Sequence, residues 1–247
     1  MDVSLPKNTL NLEFIPLNVM GYLQTKVPDN IFCDLKSYVA SLEQNSISIK
    51  SINDAKENSK INNNFEEQYN PYLQRPSVLR SDFAGGIEQV YRLPTNPNLN
   101  NFILSLCDHY WDFVYLKSRR CKIDNAWINF QKKREAHHIH IHSSVLSFVI
   151  WLKIPYNLEN EQKAVKAINS NGMGLQQSVP AFTFVYHGAS RDTRNIATIK
   201  EHSIPVSNKH EGTIILFDSS LSHTVLPFYT SDEYRISIAG NIVYDNS

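Results

Sequence analysis

A mainly β chain fronted by N-terminal helices is what this sequence predicts, and three observations carry the prediction. Up to about Ser118, apolar residues recur with the 3.6-residue period of a helix in two clear stretches. After Lys122 the period falls to 2, and segments rich in β-branched and aromatic residues alternate with turn-forming Asn, Ser, Gly and Asp. Four of the nine histidines fall between His137 and His142, directly before the longest apolar run.

Taken in order, Phe14–Leu23 reads as a short strand whose Pro16 suits a sheet edge, where a missing N–H costs least. Pro28-Asp29 is a helix start, followed by Ile31, Phe32, Leu35, Val39 and Leu42 on one face. From Glu43 to Asn64 the chain is polar and reads as a surface excursion or a loosely packed helix. Tyr69–Pro94, with Gly85-Gly86, suits irregular packing. Asn96-Pro97 opens a second helix, with proline in the first turn. Its inward face runs through Leu99, Phe102, Ile103, Leu106, Cys107, Tyr110, Phe113 and Val114, which makes Cys107 a core-filling thiol.

Strands are expected at 126–130, 145–153, 181–186, 202–206, 213–217 and 235–244. Turns are expected at Asn169–Gly172 and Thr230–Glu233, and the polar insertion Pro155–Gln177 is a candidate lid, open to being helical in part. The organisation is one domain over 1–247, with a helical layer at 1–118 and an antiparallel β unit at 119–247. Such units close as barrels or jelly rolls, which hides their edges.

Composition removes several function classes. Lys plus Arg and Asp plus Glu balance at 24 each, so no basic excess points to nucleic acid or to a membrane surface. Cys33, Cys107 and Cys121 are odd in number and far apart, which is neither a disulfide framework nor a zinc knuckle. A reducing compartment is expected, the cytoplasm. Met1–Pro6 lacks the basic start and apolar stretch of an export signal. Val145–Leu152 is far shorter than the roughly 20 residues of a membrane span.

The histidines carry the chemistry. In an extended chain His138, His140 and His142 share one face, roughly 6–7 Å apart. Two imidazoles so placed can converge on one ion, at about 2.0–2.2 Å per bond. The third ligand must come from elsewhere, and His223 is the best candidate. His137 and His138 read more simply as strand-edge residues, and a surface-loop position for His223 competes with ligation. Asp218 is the fallback carboxylate. Arg235 sits in the apolar run Ile236, Ile238, Ala239, Ile242, Val243, where a charge is costly unless paired. A salt bridge would satisfy it. So would the distal carboxylate of a 2-oxo acid, gripped in bidentate fashion with Ser237 on the same side.

Several motifs together carry a resemblance. Trp127-Ile128-Asn129, His140-Ile141-His142, Leu146-Ser147-Phe148-Val149, Glu211-Gly212-Thr213, Phe217-Asp218-Ser219-Ser220-Leu221-Ser222-His223 and Arg235-Ile236-Ser237-Ile238-Ala239-Gly240-Asn241 stand in the order of one family. The chain resembles the 2-oxoglutarate/Fe(II)-dependent oxygenases of bacteriophages and marine bacteria, over roughly Pro16 to Val243. The resemblance implies a double-stranded β-helix, a cupin-like jelly roll, with N-terminal helices. It implies iron at His140 and His223, with His142 where the wider superfamily has a carboxylate. It also implies Arg235 and Ser237 on the distal carboxylate of 2-oxoglutarate, with Asn129 a further candidate. Asp218 stands where proline is usual, and Trp151 where tyrosine is usual; the larger indole is expected to narrow the pocket or to displace a co-substrate contact.

The expected reaction is an Fe(II)- and 2-oxoglutarate-dependent hydroxylation that releases succinate and CO2, with no catalytic residue beyond the metal centre. The substrate would be a small molecule or a protein side chain rather than nucleic acid or membrane, and a homodimer stays open. A three-histidine dioxygenase that needs no 2-oxoglutarate and a non-catalytic β-barrel binding module are the competing readings.

Overall fold

The computed structural model describes residues 11–17, 20–42, 86–87, 89–114, 119–168, 180–188 and 198–245. Two antiparallel sheets face each other. The larger is built from β1 (Glu13–Leu17), β2 (Met20–Lys26), β3 (Gln89–Arg92), β4 (Cys121–Gln131), β6 (Leu146–Lys153), β9 (Thr213–Asp218) and β11 (Arg235–Tyr244). Its order is β1-β2-β9-β6-β11-β4-β3. The smaller has the order β5-β10-β7-β8, from β5 (His137–His140), β7 (Ala181–Gly188), β8 (Thr198–Pro205) and β10 (Ser222–Val225). The chain is thus mainly β, with few helices.

Strand alternation decides what each face of the larger sheet does. On β11, Ile236, Ile238 and Ile242 are buried against helices, whereas Arg235, Ser237 and Ala239 line a cavity on the opposite face. On β9, Ile214 and Leu216 join the helix-side core while Ile215 and Phe217 join a second core between the sheets. Phe182, Phe184, Trp151 and Phe228 fill that second core. Full burial of such side chains is worth roughly 1.5–3 kcal/mol each, so the two cores dominate the stabilising side of folding.

The helix side is covered by α1, whose described residues are 29–42, and by α2 (Pro97–Phe113). Ile31, Leu35, Val39 and Leu42 are buried, as their spacing predicts. Asn96 caps α2 by accepting from the Leu99 backbone N–H at 3.0 Å, and Pro97 follows where no N–H is needed. Cys107 is buried and its Sγ donates to the Ile103 carbonyl at 3.4 Å, a core role. At the C-terminal end the buried residue is Trp111. Phe113 is 41% exposed and stacks on Phe14, with ring centroids 5.2 Å apart.

Several expectations are corrected. The Phe14–Leu23 run is a hairpin, β1 with β2, in which Pro16 pairs with Gly21 on the sheet edge. A Cβ at Gly21 would lie 2.3 Å from the Ile15 carbonyl oxygen, so only glycine fits this close approach. The first 118 residues therefore supply three strands of the larger sheet besides the helices. One of them, β3, lies in the stretch expected to be irregular. Within 155–177 the helical part that the sequence left open is present, at Leu158–Ile168 (α3), and its fully buried Glu161 accepts from the Tyr229 and Thr230 backbone N–H groups at 2.8 and 2.7 Å. The rest of the candidate lid, the Asn169–Gly172 turn, and the Glu43–Asn64 excursion lie outside the described residues. Among the described residues no helix is long and apolar enough to cross a membrane.

Candidate metal centre

His140 and His223 are direct partners across the β5–β10 pair, and their ring centroids lie 4.3 Å apart. His142 lies just past the end of β5, where its backbone N–H donates to the Ser219 carbonyl at 2.9 Å. Its ring centroid is 5.1 Å from those of both His140 and His223. One ring nitrogen from each of the three lies within 4.8 Å of the other two, a spacing that can hold a metal ion.

The donor chemistry fits Fe(II). The His140 Nδ1–H donates to the His138 carbonyl at 2.7 Å, and the His223 Nδ1–H donates to the Leu221 carbonyl at 2.9 Å. Each bond fixes the tautomer and leaves Nε2 with its lone pair. Burial pushes His223 down to about 3 and His142 to about 4, and it lowers His140 as well. All three imidazoles are therefore neutral near pH 7, which is the form that ligates. Imidazole nitrogen is a suitable donor for divalent iron.

Asp218 stands apart from this cluster. It faces away from the cavity, the opposite parity to Phe217, and accepts from the Ser220 backbone N–H at 2.8 Å and its hydroxyl at 2.5 Å. Simple alternation also fails in β5. His138 is exposed and Ile139 is 61% exposed, whereas His137 is 8% exposed and lines the cavity. The cause is a β-bulge: His223 pairs with His140 but Val225 pairs with His137, three residues against two. The extra residue turns His137 and His140 to the same side.

Arg235 lies at the other end of the cavity, 3% exposed. Its Nε donates to the Gln131 Oε1 at 3.0 Å, Nη1 to the Tyr156 hydroxyl at 3.1 Å and Nη2 to the Leu226 carbonyl at 2.8 Å. Phe228 lies beneath the guanidinium, 5.6 Å away. Among the described residues Arg235 has no carboxylate within ion-pair distance. Burial raises the Tyr156 phenol, so it stays a neutral partner. Ser237 faces the same cavity and pairs across the strands with Asn129, whose buried Oδ1 has no hydrogen-bond partner among the described residues.

The cavity between the two groups measures about 300 Å³, and Trp151 forms part of its wall, edge-on to Phe182 and His210. The six residues singled out from the sequence, Asn129, His140, His142, His223, Arg235 and Ser237, all line this cavity. Sequence reasoning missed four groups of neighbours. Gln131 could have been found, since it lies two residues from Asn129 on the same face of β4. His137, Tyr156 and the Ser144–Ser147–Ser219 hydroxyl cluster could not, because each depends on a bulge or a distant contact. In that cluster the buried Ser219 Oγ lies 2.7 Å from the hydroxyls of both Ser144 and Ser147.

Comparison with known proteins adds the family. Residues 125–241 match the family described as "Putative 2OG-Fe(II) oxygenase", 2OG being 2-oxoglutarate. No curated protein matches the chain. Among solved structures, it is similar to an oxidoreductase of the 2OG-Fe(II) oxygenase family from Burkholderia pseudomallei, at 15% identity and a TM-score of 0.38, covering 70% of this chain and 78% of that one. It is also similar to a Pseudomonas putida prolyl-4-hydroxylase, at 13% identity and a TM-score of 0.43, covering 92% and 94%. The matched stretch contains every residue of the histidine cluster and the buried arginine opposite it, so it is over residues 125–241 that the chain is similar to the 2OG-Fe(II) oxygenases, enzymes that use Fe(II) and 2-oxoglutarate.

Proposed function

We propose that this enzyme hydroxylates a small molecule or a protein side chain, with Fe(II) on His140, His142 and His223 and 2-oxoglutarate anchored at Arg235. The observation that carries the reading is the buried guanidinium at one end of the cavity, with only neutral partners among the described residues, facing three neutral imidazoles at the other. A dicarboxylate would supply the missing charge there and reach toward the metal. The two facing antiparallel sheets support reading the β unit as a double-stranded β-helix, and 1–247 as one domain.

When bound, Fe(II) and 2-oxoglutarate together reduce dioxygen, so that one oxygen atom enters a C–H bond of the substrate and the other leaves in succinate, with loss of CO2. The chain's residues orient and shield. Arg235 holds the distal carboxylate through its charge, and the Gln131, Tyr156 and Leu226 bonds fix its plane. Ser237 and Asn129 offer polar groups along the same wall. Phe182 stacks on His223 with ring centroids 5.3 Å apart, and Phe217 packs edge-on at 5.0 Å, which keeps water from that ligand. Trp127 lies 6.0 Å from the His142 ring and holds it from the sheet side.

The test is an anaerobic titration with Fe(II) and 2-oxoglutarate, followed by the visible metal-to-ligand charge-transfer band. The band is expected in the wild type and weakened in His142→Ala, His223→Ala and Arg235→Ala. Iron uptake with no band would favour a three-histidine enzyme without 2-oxoglutarate. No iron uptake at all would leave a binding module.

A further inference from the structure

We propose that the part of the cavity beyond Trp127 is the primary-substrate subsite, and that it takes a small carboxylic acid whose apolar body lies on the Trp127 indole and whose carboxylate pairs with Arg92. This rests on the reading of Arg235 as the 2-oxoglutarate anchor, because that reading assigns the other end of the cavity. Gln131, Asn129, Trp127 and Asn125 form one column of cavity-facing residues on β4. Gln131 bonds Arg235, and Trp127 packs beside His142, four residues and roughly 13 Å further along the strand. The co-substrate therefore belongs in that interval. What remains is the space beyond Trp127, toward Asn125, Asn241 and Arg92.

Its chemistry favours an acid. Arg92 pairs with Trp127 across β3 and β4, so both side chains leave the sheet on the cavity side. Arg92 is exposed at the rim and, among the described residues, has neither a hydrogen-bond nor an ion-pair partner. Asn241, on the other side of the β4 column, has its Oδ1 occupied by the Ser144 and Ser147 hydroxyls, each at 3.2 Å. Its NH2 is thereby left as the free end, a second donor for a substrate oxygen. Among the described residues no aspartate or glutamate lines the cavity, so a cationic substrate finds no partner. Val149 and Ala239 provide apolar wall around the indole. A cavity of about 300 Å³ shared with the co-substrate suits a free small molecule.

The experiment compares phenylpropionate with phenylpropionamide, an acid and a neutral amide with the same apolar body. Binding is measured by anaerobic calorimetry on protein loaded with Fe(II) and saturated with 2-oxoglutarate, and again on the metal-free protein. The acid is expected to bind at least about tenfold more tightly than the amide. Arg92→Gln should abolish that preference, Arg92→Lys should keep part of it, and both variants should form the wild-type charge-transfer band. Equal affinities, binding of neither probe, or a preference that survives Arg92→Gln would overturn the proposal. So would loss of the band on adding the acid, which would place it at Arg235. If the wild type forms no band yet shows an Arg92-dependent preference for the acid, the co-substrate reading fails and the subsite stands.

Discussion

Gln131 and Arg235 stand opposite each other across β4 and β11, and one oxygen, the Gln131 Oε1, accepts from both Nε (3.0 Å) and Nη2 (2.5 Å) of the guanidinium. A neutral acceptor orients the cation without cancelling its charge. Gln131→Glu would cancel it while keeping the shape. We expect that variant to bind 2-oxoglutarate at least about tenfold more weakly with iron uptake unchanged, measured by calorimetry and metal analysis. An unchanged affinity would show that Arg235 is not the carboxylate anchor.

Ser219 is a hinge pin for His142. Its carbonyl receives the His142 N–H, and its buried hydroxyl contacts those of Ser144 and Ser147. Ser219→Ala removes the hydroxyl and leaves all three histidines in place. Metal affinity should fall by about 10- to 100-fold, the usual cost of losing support behind a ligand. Competition with a chromogenic chelator reads the effect, and an affinity equal to the wild type would mean that the backbone bond alone positions the loop.

His137 should shape the acid sensitivity of the metal-free protein. Burial first, then the charges of its neighbours, push it down to about 3, against an ordinary value of 6.5. Below pH 6.5 the unfolded chain takes up a proton that the folded chain refuses, so stability falls with pH between about 6.5 and 3. Above 6.5 both states are neutral and His137 adds no slope. His137→Leu should therefore flatten the loss of stability in urea melts between pH 6.5 and 4, with little change in slope above pH 7. A wild-type slope in the variant would assign the effect to other groups.

Glu161 acts on the site from outside it. Its carboxylate ties α3 to the Tyr229 and Thr230 N–H groups, in the segment that gives Leu226 and Phe228 to Arg235. Glu161→Ala strands those N–H groups and should cost about 2–4 kcal/mol of stability. It should also raise the KM for 2-oxoglutarate more than it lowers kcat. A fall in stability with KM unchanged would confine Glu161 to the scaffold.

Much of this was legible in the sequence because period and chemistry agree there. Ile236, Ile238 and Ile242 alternate with Arg235 and Ser237, so a single strand states both the core and the polar wall. The spacing of His140 and His142, with His223 in a later strand, pointed to the three histidines that the fold brings together. What stayed hidden depends on single-residue irregularity or distant partners. The bulge opposite His223 and Val225 brings His137 in and leaves His138 out, against strict alternation. The Phe14–Leu23 run conceals a hairpin because both strands are apolar and the sharp approach rests on Gly21 alone. Tyr156 meets Arg235 from 79 residues away, which no local pattern announces.

The neutral company of Arg235 has a consequence for the life of the protein as well as its chemistry. A buried cation that meets only dipoles among the described residues leaves the empty fold under electrostatic load, and on the reading proposed above a dicarboxylate would relieve that load. At a hundredfold excess over Kd, such a ligand adds about 2.7 kcal/mol to folding. Scarcity of 2-oxoglutarate would then idle the enzyme and also expose it to degradation, so its abundance would track the carbon supply of the cell it works in.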